Sequence, residues 1–198
     1  MTASGTHDLV AVGASWGGLD ALRVLLRGLP RDLDAAVVVA QHRAPESHPT
    51  ALRDLLGAVT LLGVLDAEDK QPLERGVVFL APPDYHLLVE DGHLALSTEG
   101  AVSFSRPSAD VLLESAADAL RERCVGVVLT GANDDGARGL ARVVELGGVA
   151  IVQDPATAER PEMPRAALRA VSAAQVLHLD EIADALVALC GRTTRVTA

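Results

Sequence analysis

The hydrophobic positions of the chain fall into short apolar runs that alternate with longer stretches of helical spacing. A continuous apolar run such as Ala35–Gln41 is typical of a strand buried on both faces of a parallel sheet. Leucines recur at helical spacing over Leu19–Leu29, and Pro30 ends that helix. The other strands predicted in this way are Leu9–Val12, Val59–Leu65, Val125–Leu129, Val149–Val152 and Gln175–Leu177. The other predicted helices are Pro49–Leu56, about Ala109–Arg123, about Ala137–Leu146, Pro164–Val171 and Glu181–Leu189.

The middle of the chain interrupts this alternation. Three short strands, Val77–Ala81, Leu87–Glu90 and Leu94–Ser97, follow one another, and Asp91-Gly92 is a hairpin signal between the last two. This part is therefore predicted to be an antiparallel insertion. The whole pattern predicts an α/β fold with a doubly wound, mainly parallel sheet, helices on both faces and an antiparallel hairpin insertion. We expect a single domain over residues 1–198, with its core at about 9–190.

Composition and charge exclude several classes of protein. The 198 residues carry 17 basic and 27 acidic side chains, a net charge of −10, and aromatic residues make up 2%. Without a basic run or stacking aromatics, nucleic-acid binding is not expected. The apolar runs fall far short of the roughly 20 residues that cross a bilayer, so the chain is not expected to be membrane-embedded. Met1–Asp8 lacks the pattern of a secretory signal, and Cys124 and Cys190 form no CxxC pair. The expected location is therefore cytoplasmic.

In a doubly wound sheet, ligands bind at the carboxyl ends of the strands, so the residues that follow each strand are informative. Gly13-Ala14-Ser15-Trp16-Gly17-Gly18 follows the first strand and fits G-x-S-x-G, the turn that exposes a nucleophilic serine. It also fits a weakened dinucleotide fingerprint, with serine in place of the second glycine. A third interpretation is an ordinary tight turn in which Ser15 caps the next helix.

Gln41-His42 follows the second strand. A dinucleotide site would need Asp or Glu there to bind the ribose, so the cofactor interpretation loses most of its support. A histidine at the same edge as Ser15 is what a serine nucleophile requires, because its hydroxyl must lose a proton as it attacks. An isolated histidine is nevertheless more often a structural residue.

The segment Thr130–Gly136 follows a third strand and contains Asn133, Asp134 and Asp135. Such residues commonly cap helices. Alternatively, one aspartate is the third member of a triad, where it would orient the histidine. The chain order Ser, His, Asp differs from the Ser, Asp, His order of α/β-hydrolases, which argues against that common fold but not against the chemistry.

Taken together, these segments resemble the catalytic domain of the CheB family, the chemotaxis receptor methylesterases. Further matches support the resemblance, which extends over about residues 9 to 190. The matching segments are Val12–Gly18, Gln41-His42, Leu129–Gly131, Asp135–Ala137, Gln153–Thr157 and Met163-Pro164, with Phe79–Pro82, His86-Leu87 and Arg106–Leu112 in support.

The resemblance implies an enzyme that hydrolyses methyl esters on glutamate side chains of receptors and deamidates certain glutamines. It implies a triad of Ser15, His42 and Asp135, with Asp135 chosen over Asp134 because the family's acid directly precedes the glycine. The oxyanion would be stabilised by the backbone N–H of Trp16, with a second donor in the turn at Gly131–Ala132. No cofactor is required, and no histidine spacing matches a metal site.

Two features depart from the family. Trp16 stands where a small residue is usual, and Ala132 and Asn133 replace the usual Met-Gly. Only about eight residues precede the first strand, so we expect the catalytic domain alone, without the family's N-terminal receiver domain.

The expected partner is a methylated receptor or another methylated protein, with a separate protein as a possible regulator. The alternative to an esterase is a CheB-like binding module without catalysis, its pocket blocked by Trp16.

Overall fold

The computed structural model describes residues 7–48 and 50–191. Pro49, with which the second predicted helix was expected to begin, lies outside these residues, as do 1–6 of the N-terminal segment and 192–198. The single domain over 1–198 therefore stays a prediction. The strands are β1 (Leu9–Ala14), β2 (Ala36–Gln41), β3 (Gly63–Asp66), β4 (Val77–Leu80), β5 (His86–Glu90), β6 (His93–Ser97), β7 (Cys124–Val128), β8 (Val149–Gln153) and β9 (Gln175–Leu177). The helices are α1 (Gly18–Arg27), α2 (Ala51–Gly57), α3 (Ala109–Leu120), α4 (Ala137–Glu145), α5 (Glu162–Ala170) and α6 (Ile182–Cys190).

Seven strands form one parallel sheet in the order β3-β4-β2-β1-β7-β8-β9, and β5 and β6 pair as a separate antiparallel hairpin. This confirms the predicted α/β class with its hairpin insertion. Two details of the prediction were wrong. The strand predicted over Val59–Leu65 is shorter and begins at Gly63, and β4, which was assigned to the antiparallel insertion, pairs in parallel with β2 and β3.

The sheet has a hydrophobic core on each face because successive residues of a strand point to opposite sides. In β1, Leu9 and Ala11 belong to one core, and Val10, Val12 and Ala14 belong to the other. The first core is completed by α3, α4, α5 and the hairpin, and the second by α1, α2 and α6. Since both faces are covered, the central strands read as continuous apolar runs in the sequence.

Gly13 lets α3 approach the central strand closely. A Cβ atom at position 13 would lie only 2.5 Å from the Cβ of Ala109, the first residue of α3. The N-terminus of α3 is thus held against the carboxyl end of β1. It also meets the segment that follows β7, because β1 and β7 are neighbours.

The chain leaves β1 toward β2 on one side and later returns to pair β7 on the other side, so the sheet's topological switch point lies at β1. Open α/β sheets bind their ligands beside such a point, outside the carboxyl ends of the strands. Among the residues described, no helix is long and apolar enough to cross a membrane.

Candidate active site

Ser15 lies in the turn between β1 and α1. Its backbone N–H donates to the carbonyl of Thr130 at 3.0 Å, and its own carbonyl accepts from Gly18 N–H at 2.9 Å. The left-handed residue of the turn is Gly17, with φ 76°, which is also the N-cap of α1, so Ser15 does not cap this helix. Within the described ranges, the Ser15 hydroxyl forms no hydrogen bond, and the side chain is half-buried. A half-buried hydroxyl without a structural partner is available for chemistry.

His42 directly follows β2, next to Ser15. Its backbone N–H donates to the carbonyl of Ala14 at 2.9 Å. The side-chain amide of Gln41 donates to the carbonyls of both Ser15, at 2.8 Å, and His42, at 3.1 Å. Gln41 therefore fixes the backbones of the two candidate residues relative to each other. At the position where a dinucleotide site needs an acid, this chain has an amide that bonds to the backbone.

Asp135 is fully buried and accepts four hydrogen bonds. His42 Nε2 lies 2.6 Å from Oδ2, which also accepts from Ala109 N–H at 2.6 Å. Oδ1 accepts from Ser108 Oγ at 2.7 Å and from Asp110 N–H at 2.9 Å. Burial alone would raise the pKa of Asp135, but these hydrogen bonds outweigh it and hold the pKa below its usual value. The carboxylate is thus ionised, and it orients the imidazole of His42.

The helix-capping interpretation of this segment is partly right, but for a different helix. Asp135 accepts the first backbone N–H groups of α3, whereas the N-cap of α4 is Gly136, with φ 92°. Asp110, in the first turn of α3, accepts in return from Gly136 N–H at 2.9 Å and Gly139 N–H at 2.8 Å. Burial raises the pKa of Asp110, and the neighbouring Asp135 carboxylate adds to the rise. Asp134 is exposed on the outside of the turn.

The second nitrogen of His42 faces a residue that the sequence analysis missed. Ser105 Oγ lies 3.0 Å from His42 Nδ1, so Ser105, His42 and Asp135 are linked by hydrogen bonds while Ser15 is not. Ser105 directly precedes the Arg106–Leu112 segment, and no motif pointed to it. Ser108, which bonds to Asp135, lies inside that segment, but the resemblance alone assigned it no role.

Trp16 points toward the loop after β8. Its indole N–H donates to Glu159 Oε1 at 2.8 Å, and the guanidinium of Arg160 lies 5.2 Å from its ring centroid. The indole is 59% exposed. Among the described residues, no hydrogen bond uses the backbone N–H of Trp16 or of Ala132, the two predicted oxyanion donors. Both donors are consequently available to a bound substrate.

A pocket of ≈ 420 Å³ opens beside His42. Its walls come from the segment after β2 and from the turn that carries Ser105, and neither Ser15 nor Trp16 lines it. The lining residues are His42, Arg43, Ala44, Pro45, Asp84, Ala101, Phe104, Ser105 and Arg106.

The other histidines are not gathered into a metal site in the part of the chain that the structure describes, where no three His, Cys, Asp or Glu side chains are grouped suitably. His86 is buried, and its Nε2 lies 3.0 Å from the carbonyl oxygen of Gly100, so it packs as a structural residue.

Fold and site together define an α/β domain whose polar groups meet at the carboxyl ends of three adjacent strands. The family model described as CheB methylesterase matches residues 10–186, and the chain belongs to this family. The catalytic domain of Thermotoga maritima CheB methylesterase superposes with a TM-score of 0.87 at 31% identity, covering 94% of this chain and 99% of that one.

Relatives of two lengths match the chain. A putative protein-glutamate methylesterase/protein-glutamine glutaminase from Leptospira interrogans is 41% identical over 184 residues, which cover 92% of this chain and 95% of the relative. The protein-glutamate methylesterase FrzG from Myxococcus xanthus is also 41% identical, over 181 residues. Here the match covers 91% of this chain but only 54% of FrzG. The chain thus spans nearly the whole Leptospira protein and about half of the Myxococcus protein.

Proposed function

We propose that this chain is a serine esterase that removes methyl esters from glutamate side chains of chemotaxis-type receptors. The observation that carries the proposal is the 2.6 Å hydrogen bond between His42 Nε2 and the buried, ionised Asp135, at the sheet edge where Ser15 follows the neighbouring strand. An imidazole oriented by a carboxylate is the general base that a serine nucleophile needs. The names of the relatives support glutamate methyl esters as the substrate.

In the proposed reaction, His42 takes the proton of Ser15 while the serine oxygen attacks the ester carbonyl. The N–H groups of Trp16 and Ala132 stabilise the negative charge that develops on the carbonyl oxygen. Methanol leaves with the proton from His42 and an acyl-enzyme remains. Water then repeats the sequence, which releases the glutamate and regenerates Ser15. Asp135 stays ionised throughout and stabilises the imidazolium.

Glutamine deamidation is a second candidate activity, because the Leptospira relative is named as a glutaminase as well. It uses the same steps, with ammonia leaving instead of methanol. We also propose a cytoplasmic location and regulation by a separate protein.

The proposal is tested by methanol release from a methylated receptor and by labelling with a fluorophosphonate probe. We expect a single adduct on Ser15, and turnover lower by on the order of 10⁶ in Ser15→Ala with the fold retained. A chain without any serine adduct and without methanol release would instead be a binding module.

A further inference from the structure

Both ring nitrogens of His42 are occupied, and neither faces Ser15. Nε2 is bonded to Asp135 at 2.6 Å and Nδ1 to Ser105 Oγ at 3.0 Å. A neutral imidazole has one N–H and one lone pair. Since Asp135 is an ionised acceptor, the N–H lies on Nε2, and the lone pair of Nδ1 accepts the hydroxyl proton of Ser105. The lone pair that must receive the proton of Ser15 is therefore held by another serine.

Ser105 itself is poorly placed to be a nucleophile. Its backbone N–H is bonded to the carbonyl of Val102 at 2.9 Å, so it does not stabilise an oxyanion. Arg106 follows it, and no hydrogen bond among the described residues uses the Arg106 N–H, but Pro107 has no N–H and the first N–H groups of α3 are bonded to Asp135. Ser15, in contrast, has the unbonded N–H of Trp16 directly after it and the unbonded N–H of Ala132 in the turn packed against it. The hydroxyl of Ser105 thus contacts the base with fewer free backbone donors around it than Ser15 has.

We propose that Ser105 is a further active-site residue, whose hydroxyl holds the base nitrogen of His42 in the resting enzyme and must release it before Ser15 can attack. This rests on the proposed function, because it assigns the nucleophile to Ser15. The Asp135 bond is kept during the exchange, since it involves the other nitrogen. Only the partner of Nδ1 changes.

The turn that carries Ser105 lies against the pocket and has a strained tip. Ser103 and Phe104 both have left-handed backbones, with φ 49° and 61°, which is a strained conformation for residues other than glycine. Val102 and Ser105 close the turn, and Asn133 Nδ2 donates to the carbonyl of Ser103 at 3.2 Å. Phe104, at the tip, is fully exposed. Phe104, Ser105 and His42 all line the same pocket, so a substrate that enters it meets this turn directly.

The test is the rate at which a fluorophosphonate labels Ser15 in Ser105→Ala, with the adduct located by peptide mass spectrometry. The loss of one neutral hydrogen bond that competes for the base should speed labelling by about two- to tenfold. The kcat/KM for a methyl ester should rise by a similar factor. Ser105→Thr keeps the hydroxyl and should label close to the native rate.

Ser103→Ala is the matched control, because it removes a hydroxyl from the same turn that makes no contact with His42; it should leave the labelling rate unchanged. Slower or unchanged labelling of Ser15 in folded Ser105→Ala would overturn the inference and leave the proposed function intact. An adduct on Ser105 in the native chain would overturn both the holding role and the choice of nucleophile. No adduct in any variant would remove the proposed function and the inference with it.

Discussion

Asp110 and Asp135 cap each other's helices. The carboxylate of Asp135, just before α4, accepts the N–H groups that begin α3, and the carboxylate of Asp110, in α3, accepts two N–H groups at the start of α4. Both side chains are buried. The candidate acid is consequently fixed by the N-terminus of α3, whose partial positive charge favours a carboxylate.

Replacing Asp110 should weaken both the fold and the site. Asp110→Ala leaves the N–H groups of Gly136 and Gly139 buried without an acceptor, which costs about 1–3 kcal/mol each. We expect the free energy of unfolding in urea to fall by about 2–6 kcal/mol and the turnover of a methyl ester to fall with it. Asp110→Asn keeps an acceptor oxygen and should lose less unfolding free energy and less turnover than Asp110→Ala. Equal losses in the two variants would contradict the capping role.

The two neighbouring aspartates should respond differently to substitution. Asp135→Asn removes the charge that orients His42 and stabilises the imidazolium, so we expect kcat to fall by about 10⁴-fold. Asp134 is exposed, and Asp134→Asn should leave kcat near that of the native chain. Steady-state kinetics on a methyl ester give kcat for both variants. A larger loss in the Asp134 variant would show that the wrong acid was chosen.

The stability that Asp135 contributes should depend on pH. Its pKa is lower in the folded chain than in the unfolded one, so the ionised form stabilises the fold. This contribution is complete above the usual carboxyl pKa of about 3.9 and is lost as the pH falls through the lower folded value. The native chain should therefore exceed Asp135→Asn in unfolding free energy most strongly near neutral pH. Urea titrations at a series of pH values should show the difference shrinking below about pH 4; a constant difference would contradict it.

Gly131 should not tolerate a side chain. A Cβ atom there would lie 1.9 Å from Met163 Sδ and 2.8 Å from Ser15 Cβ, and Met163 is fully buried. We expect Gly131→Ala to lower the unfolding free energy by about 1–3 kcal/mol and to displace Ser15, lowering kcat by at least about tenfold. Gly100→Ala is the control, because a Cβ at that position meets nothing within 4 Å. Similar kinetics in the two variants would rule out this packing effect.

The sequence predicted the sheet best where burial is complete. Strands β1, β2 and β7 are covered on both faces, so their apolar runs were readable without the structure. Strand β3 lies at the sheet edge, its side chains alternate between exposed and half-buried, and its start was misplaced by four residues, from Val59 to Gly63. The parallel pairing of β4 depends on contacts distant in sequence, which hydrophobic periodicity does not contain.

For the site, sequence reasoning and the resemblance named the three candidate residues but not their partners. Ser15, His42 and Asp135 directly follow strands or lie in strand-end loops, where doubly wound sheets place their chemistry. Gln41 and Ser108 act through hydrogen bonds to groups far along the chain, and the role of Ser105 depends on which way one imidazole nitrogen points. Such orientations arise only when the elements have packed.

The strand order β2-β1-β7 has a consequence for how the enzyme acquires activity as it folds. The three candidate residues are 27 and 93 positions apart along the chain, from 15 to 42 and from 42 to 135, yet they follow three adjacent strands. Helices of high local propensity form early, whereas pairings between distant strands are slow because long loops must close first. In refolding from urea, esterase activity should therefore return after most of the helical circular dichroism signal. The return of hydrolysis would then mark the time at which the central strands pair.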